Sequence, residues 1–271
     1  MKVVRTVREM RDALREPRGR GQRIGLVPTM GAFHAGHVAL MRAAREASDV
    51  VVVSLFVNPA QFNAAEDLDR YPRDEAQDAR TAEEAGVDVL FAPTVEELYP
   101  VGFDTWVEPG ELGAVLEGAA RPGHFRGVAT VCTKLFSIVQ PQAAWFGQKD
   151  AQQVAVIRRV VADLDLPLEI VALGTVRDAD GLALSSRNMF LSPSERKVAL
   201  ALPRALDAGL AAHRSGGDAV AAARSLLDGE RGLTVDYVAL ADFDGPVLCA
   251  AVRVGATRLI DNVVLDPPGP R

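Results

Sequence analysis

Cysteine is nearly missing from these 271 residues: Cys132 and Cys249 lie far apart and unaccompanied. Neither a disulfide framework nor a four-cysteine zinc site can be assembled from them, and a reducing, cytoplasmic setting is expected. Lysine is almost as scarce, with Lys2, Lys134, Lys149 and Lys197 the only lysines among 30 cationic residues. A chain that takes arginine wherever either cation would serve draws attention to Lys149, inside WFGQKDAQQ. There are four histidines, two of them in His34-Ala35-Gly36-His37. A basic excess is also lacking, since 30 cationic residues face 36 acidic ones. That balance argues against nucleic-acid and membrane-surface partners and for small molecules. No apolar run approaches the roughly 18 residues of a membrane span. The opening MKVVRTVREMRDALREPRGRG lacks an apolar core, so no export signal is expected. Two phosphate signatures are missing as well. GxxxxGK[ST] is absent, and the glycines of residues 19–25 precede the first apolar run and miss GxGxxG by one residue, which disfavours P-loop and nicotinamide enzymes.

What is present is a regular alternation. With 48% hydrophobic and 24% charged residues the chain can bury one large core or two modest ones. Apolar, β-branched runs at 24–28, 50–57, 87–92, 143–146 and 168–173 predict buried strands, separated by helical spacing at about 6–16, 36–48, 74–85, 126–139 and 151–163. That order is the signature of an α/β fold, a parallel sheet with helices on both faces. Gly86 is placed to end the third helix. From about residue 176 the pattern changes. Asp180-Gly181 predicts a hairpin or ordered loop, Ser192-Pro193-Ser194-Glu195 a capped helix running to about Arg214, and a further helix at 218–229 precedes strands at 233–241, 246–254 and 257–265. The expected division is 1–175 and 176–271, the second part a smaller α+β domain, with DPPGPR as a frayed end.

Three polar, glycine-bearing segments fall at strand ends or at the domain junction: PTMGAFHAGH (28–37), FGQKDAQQ (146–153) and LALSSRN (182–188). In an open α/β sheet ligands sit outside the carboxyl ends of the strands. His34 and His37 lie on one side of a first helical turn, where amides and the helix dipole favour an anion, and Gly36 permits close approach. Phosphate is the candidate ligand. Zinc is the rival, but no third ligand is evident. Lys149 can act on phosphate as a point charge, with Asp150 capping the next helix or ordering the loop, or the two can form a surface ion pair. Arg187, in Ser185-Ser186-Arg187-Asn188, can clamp a phosphate, or the segment can be a polar turn. Gln61, in Asn58-Pro59-Ala60-Gln61-Phe62, and Gln153 suit a hydroxylated or amino substrate, or are structural amides. His124 and Arg126 read as structural or rim-forming.

PTMGAFHAGH, VSLFVNPAQF, RYPRD, EGAARPGHFRGVATV, FGQKDAQQ, DGLALSSRN and TRLIDN occur in the order and spacing of the pantoate:beta-alanine ligases of the nucleotidylyltransferase superfamily, which the chain resembles from about Ile24 to Asn262. HxGH and the SSR loop are shared more widely, whereas NPxQF, RPGHFRGV and KDxQQ together are specific to this family. The resemblance implies a Rossmann-like ATP-binding domain, a C-terminal α+β lid, a homodimer, and Mg2+ bound with ATP as substrate. It implies that pantoate is adenylated, with loss of pyrophosphate, and that the amine of beta-alanine then displaces AMP. Carried over by motif, Met30, Gly31, Ala32, Phe33, His34, Ala35, Gly36 and His37 line the ATP site. Gly147, Gln148, Lys149, Asp150, Val176, Leu184, Ser185, Ser186 and Arg187 complete it. Gln61 would hold pantoate and beta-alanine, and Gln153 pantoate. His37 is implied as proton donor or purely electrostatic group and His34 as phosphate ligand, with Lys149 and Arg187 supplying charge. Gln148 stands where many members are acidic, and Ala151 where an aromatic is frequent. The nearest rival is another HxGH nucleotidylyltransferase, with a phosphorylated acceptor. A non-catalytic nucleotide-binding protein and a zinc hydrolase are more distant.

Overall fold

Four consecutive valines, Val50 to Val53, are all buried, as befits a strand covered on both faces. They sort by the twofold period of a strand: Val50 and Val52 join a core with Met10, Leu14, Phe91, Leu135 and Ile157, while Val51 and Val53 join another with Val27, Met41, Leu90 and Trp145. Two separate apolar layers on one strand require helices on both sides of the sheet. Each fully buried leucine or isoleucine contributes about 1.5–3 kcal/mol to that assembly.

The computed structural model describes residues 1–62, 68–69 and 71–265. The DPPGPR end and Arg70 of RYPRD lie outside the described residues. The sheet comprises β1 (Lys2–Val4), β2 (Ile24–Thr29), β3 (Val50–Leu55), β4 (Val89–Phe91), β5 (Ala143–Gly147) and β6 (Glu169–Leu173), in the order β1-β4-β3-β2-β5-β6. The pairs β1–β4, β4–β3, β3–β2 and β2–β5 run parallel. The winding direction reverses between β2 and β5, the kind of switch point outside whose carboxyl strand ends α/β proteins bind ligands. The intervening helices are Val7–Gly19, Ala35–Ala47, Glu75–Glu84, His124–Val139 and Ala151–Asp163. Thr6 and Glu9 form a full capping box on the first, and Gly86, at φ +83°, follows the third as expected. The fourth begins at His124, so His124 and Arg126 lie within its first turn rather than before it.

By contacts the chain divides into two compact units, Met1–Phe146 with Gln152–Leu173, and Gly147–Ala151 with the chain from Gly174 onward. The second contains an antiparallel meander of β7 (Leu233–Asp242), β8 (Pro246–Val254) and β9 (Thr257–Val264). Leu202, Leu206, Leu227, Leu248 and Val252 form its core. The single helix expected from Ser192 to Arg214 is two helices, Pro193–Ala199 and Ala201–Arg214, broken at Leu200. Pro203 explains the break: it has no N–H to donate, and its ring would meet the Ala199 carbonyl in a continuous helix. The capping box of Ser192 and Glu195 is formed.

Candidate active site

The helix Ala35–Ala47 starts with an unusual cap. His34 is its N-cap residue, and Nδ1 of His34 accepts the Gly36 N–H at 3.1 Å. The His34 N–H in turn donates to Nδ1 of His37 at 3.3 Å, so two imidazoles perform the parts usually taken by Ser and Glu in a capping box. A ring nitrogen that accepts carries no proton; each neutral imidazole therefore carries its proton on Nε2. The rings lie 4.2 Å apart by centroid, and Phe33 packs on His37 at 5.4 Å. No acidic residue occupies the first turn, leaving the positive helix end uncompensated for an anion.

Asp78 holds the turn that leads into this cap. Its buried carboxylate accepts the Ala32 N–H at 2.9 Å through Oδ2 and the Phe33 N–H at 2.8 Å through Oδ1. Ala32 has φ +54°, which a non-glycine residue adopts only when held there, and Gly31 has φ +90°. A Cβ at Gly31 would lie 2.8 Å from Asp78 Oδ2 and 2.6 Å from Leu55 Cδ1, so this position accepts only glycine. With Gly31 donating to Thr29 Oγ1, the amides of residues 31–34 and 36 are used inside the protein. The expectation of amide donors for the anion gives way to the ring Nε2–H groups as the donors this motif brings to a ligand.

Gln61 belongs to the same unit, on a 3-10 turn (Pro59–Gln61) after β3. It is buried, and its amide has a defined orientation: Oε1 accepts from Asn58 Nδ2 at 3.1 Å, and Nε2 lies 3.0 Å from the Met30 sulfur. The Gln61 carbonyl meets His124 Nδ1 at 2.8 Å and an Arg121 N–H at 3.2 Å. His124 is thus a buried support of the Gln61 turn, while Arg126 stacks on Trp106, 4.8 Å from the ring centroid. Gln153 is half-buried in the first turn of Ala151–Asp163. Its neighbour Gln152 is the structural amide, accepting from Glu117 N at 3.0 Å and donating to the Leu112 and Val115 carbonyls at 2.9 and 2.8 Å.

The second unit gathers the remaining candidates. Gly181 at φ +93° closes a tight turn in which the Leu184 N–H donates to the Val176 carbonyl at 2.9 Å, so these two predicted nucleotide contacts are neighbours. Ser185 caps the turn Ser186–Phe190 by accepting the Arg187 N–H at 3.2 Å. Lys149, Ser185, Arg187, Asn188 and Asp261 line one small cavity. Asp150 accepts from Lys149 Nζ at 3.5 Å. Gly147 ends β5, and Gln148 opens the short turn that carries Lys149.

Asn58, Asp78, Arg121, Gln152 and Asn262 were not singled out from sequence, because each acts through a hydrogen bond to a distant residue. The thiol of Cys132 is fully buried, which pushes its pKa up to about 12 and removes it as a nucleophile. Among the described residues no group of three or more His, Cys, Asp or Glu side chains could hold a metal ion, and no helix is long and apolar enough to cross a membrane.

Comparison with known proteins agrees with this arrangement. The profile described as pantoate-beta-alanine ligase matches residues 2–264. Pantothenate synthetase 1 of Bradyrhizobium diazoefficiens is 54% identical, over 98% of this chain and 99% of its own length. The pantothenate synthetase of Moorella thermoacetica is 52% identical over 98% of this chain and 99% of its own. The crystal structure of pantothenate synthetase from Thermus thermophilus superposes with a TM-score of 0.92 at 48% identity, covering 98% of this chain and all of the other. That of the Francisella tularensis ligase, complexed with beta-gamma ATP and beta-alanine, gives 0.84 at 34% identity over 99% of each chain. The fold, the motifs and the full-length similarity lead to one statement: this chain belongs to the pantoate-beta-alanine ligase family.

Proposed function

We propose that the chain condenses pantoate with beta-alanine at the expense of ATP, giving pantothenate, AMP and pyrophosphate through a pantoyl adenylate. A carboxylate oxygen of pantoate attacks the α-phosphorus of ATP, the bond from that phosphorus to the bridging oxygen breaks, and pyrophosphate leaves. The amine of beta-alanine then attacks the activated carbonyl, loses a proton and expels AMP. The observation that carries this reading is the histidine capping box. Two Nε2–H donors at a helix start without acidic residues suit a leaving pyrophosphate, where charge develops.

In this reading His34 binds phosphate and His37 donates a hydrogen bond, or its proton, to the departing oxygen. Lys149 and Arg187 neutralise the same triphosphate, with Met30–His37, Gly147–Asp150, Val176 and Leu184–Arg187 framing the nucleotide. Gln61 holds pantoate and beta-alanine, and Gln153 pantoate. Adenylation asks little covalent chemistry of a protein and much alignment, which rigid amides and fixed charges supply. Mg2+ fits as a companion of ATP: the described residues offer no cage, and Mg2+ bound to a triphosphate needs only one or two carboxylates, of which Asp150, beside Lys149, can be one. When bound, the ion neutralises charge on the triphosphate. The same reading takes 1–175 as the ATP- and pantoate-binding domain and 176–271 as a lid that keeps water from the adenylate. It makes the protein a cytoplasmic homodimer.

The test is incubation with ATP, Mg2+, pantoate and beta-alanine, following AMP and pyrophosphate. AMP release requires both organic substrates, and His37→Ala or Lys149→Ala lowers the rate by about a hundredfold or more, the scale for losing one preorganised charge-stabilising group. ADP as product, or unchanged rates in both variants, rejects the reading.

A further inference from the structure

The TRLIDN segment has no part in the chemistry described so far, yet two of its residues meet the segment that carries Lys149. Asp261 and Asn262 lie near the end of β9 and are both buried. Asn262 Nδ2 donates to two consecutive carbonyls, those of Gln148 at 2.9 Å and Lys149 at 2.8 Å. Both of its amide hydrogens are thus spent on the peptide units that carry the lysine. Asn262 is held in turn by its neighbour: Asp261 Oδ1 accepts the Asn262 N–H at 2.8 Å, and the Asp261 carboxylate takes Arg177 in a bidentate pair at 2.6 and 3.1 Å. Arg177 adjoins Val176, and Asp261 lines the same cavity as Lys149 and Arg187.

Stability alone does not explain this choice of side chain. Asn262 Oδ1 is buried without a hydrogen-bond partner among the described residues, a destabilising feature that a pure packing role would have no reason to keep. Aspartate in its place would turn an acceptor toward two carbonyls, and an apolar residue would leave both carbonyls unmet.

We propose that Asn262, oriented by Asp261 and Arg177, is a positioning residue: it fixes the Gln148–Lys149 backbone and so sets where the Lys149 ammonium stands relative to the triphosphate. This rests on the assignment of Lys149 to the triphosphate made above. The experiment is pantoate-dependent exchange of labelled pyrophosphate into ATP, read for the full chain, for Asn262→Ala, for Lys149→Ala and for the double variant. A side chain that works through Lys149 has nothing left to act on once the ammonium is gone. The expected result is at least a tenfold loss of exchange in Asn262→Ala and no further loss in the double variant beyond Lys149→Ala. Should Asn262→Ala fold poorly, Asn262→Ser, whose hydroxyl can donate to one of the two carbonyls, is read in the same cycle and shows a smaller loss, again absent without Lys149. Losses that multiply in the double variant, or unchanged exchange in a folded Asn262 variant, overturn the proposal. Unchanged exchange in Lys149→Ala removes the assignment of Lys149 itself, and the proposal with it.

Discussion

Asn58 donates from Nδ2 to Gln61 Oε1 at 3.1 Å, and this bond decides which end of the Gln61 amide faces Met30. Asn58 is itself held, donating to the Gly127 carbonyl at 3.1 Å and accepting from Ala60 N–H at 3.2 Å. Gln61→Glu replaces a neutral donor by a carboxylate where an anionic hydroxy acid is to bind. The expected outcome is a fall in kcat/KM for pantoate of at least about a hundredfold, the scale of roughly 3 kcal/mol for a misplaced buried charge, with the melting temperature little changed. Asn58→Ala leaves Gln61 unoriented and the Gly127 carbonyl unmet; it raises KM for pantoate more than KM for ATP and destabilises the fold by about 1–3 kcal/mol. Steady-state kinetics with each substrate varied in turn checks both.

Asp78 is the second test. Asp78→Asn keeps the shape but offers one oxygen where two N–H groups, of Ala32 and Phe33, need acceptors. One buried donor is then unsatisfied, a cost of about 1–3 kcal/mol, and the positive-φ turn at Ala32 is no longer held. The expected outcome is a denaturation midpoint lowered to match, together with a larger loss of kcat than His34→Gln produces, since the turn sets both histidines. A variant as stable and active as the parent would show that the turn holds itself.

The pH dependence of stability offers a third. In the second unit Arg196 pairs with Asp178 and Asp180 at 2.6 and 2.8 Å. The hydrogen bond from Arg196 holds the Asp180 carboxyl below its ordinary pKa. A depressed folded-state value means the unfolded chain binds the proton more readily, so the contribution is complete above the ordinary carboxylate value and is lost as pH falls through the lowered one. The groups are about one-third exposed, which limits the contribution to roughly 1 kcal/mol or less. Urea unfolding of the parent and of Arg196→Ala therefore differs at pH 7 and converges below about pH 3. A gap that persists undiminished to pH 2 contradicts this.

Much of the architecture was legible in the chain. The valine-rich run at 50–57 and the apolar run at 24–28 are β3 and β2, and the helical spacings at 36–48 and 151–163 fall on observed helices. The Ser192 capping box and the Asp180-Gly181 turn formed as read. These signals are local: a period, a cap or a turn depends on residues within a few positions of one another. β1 escaped notice because its three residues bury only Val4, too little for a period to show. The division at Leu200 was missed because a proline three residues inside a helix reads as tolerable until the carbonyl it displaces is identified.

The sequence by itself determined the α/β alternation, the histidine pair at a helix start, and the set of motifs that mark the ligase family. Only the tertiary structure decided what holds those groups: Asp78 under the amides of Ala32 and Phe33, Asn58 and His124 on Gln61, Asn262 on the carbonyls of Gln148 and Lys149. The reason is physical. A buried polar group must find its partner wherever packing brings one, and that partner lies dozens of residues away, beyond the range over which helical or strand periodicity carries information.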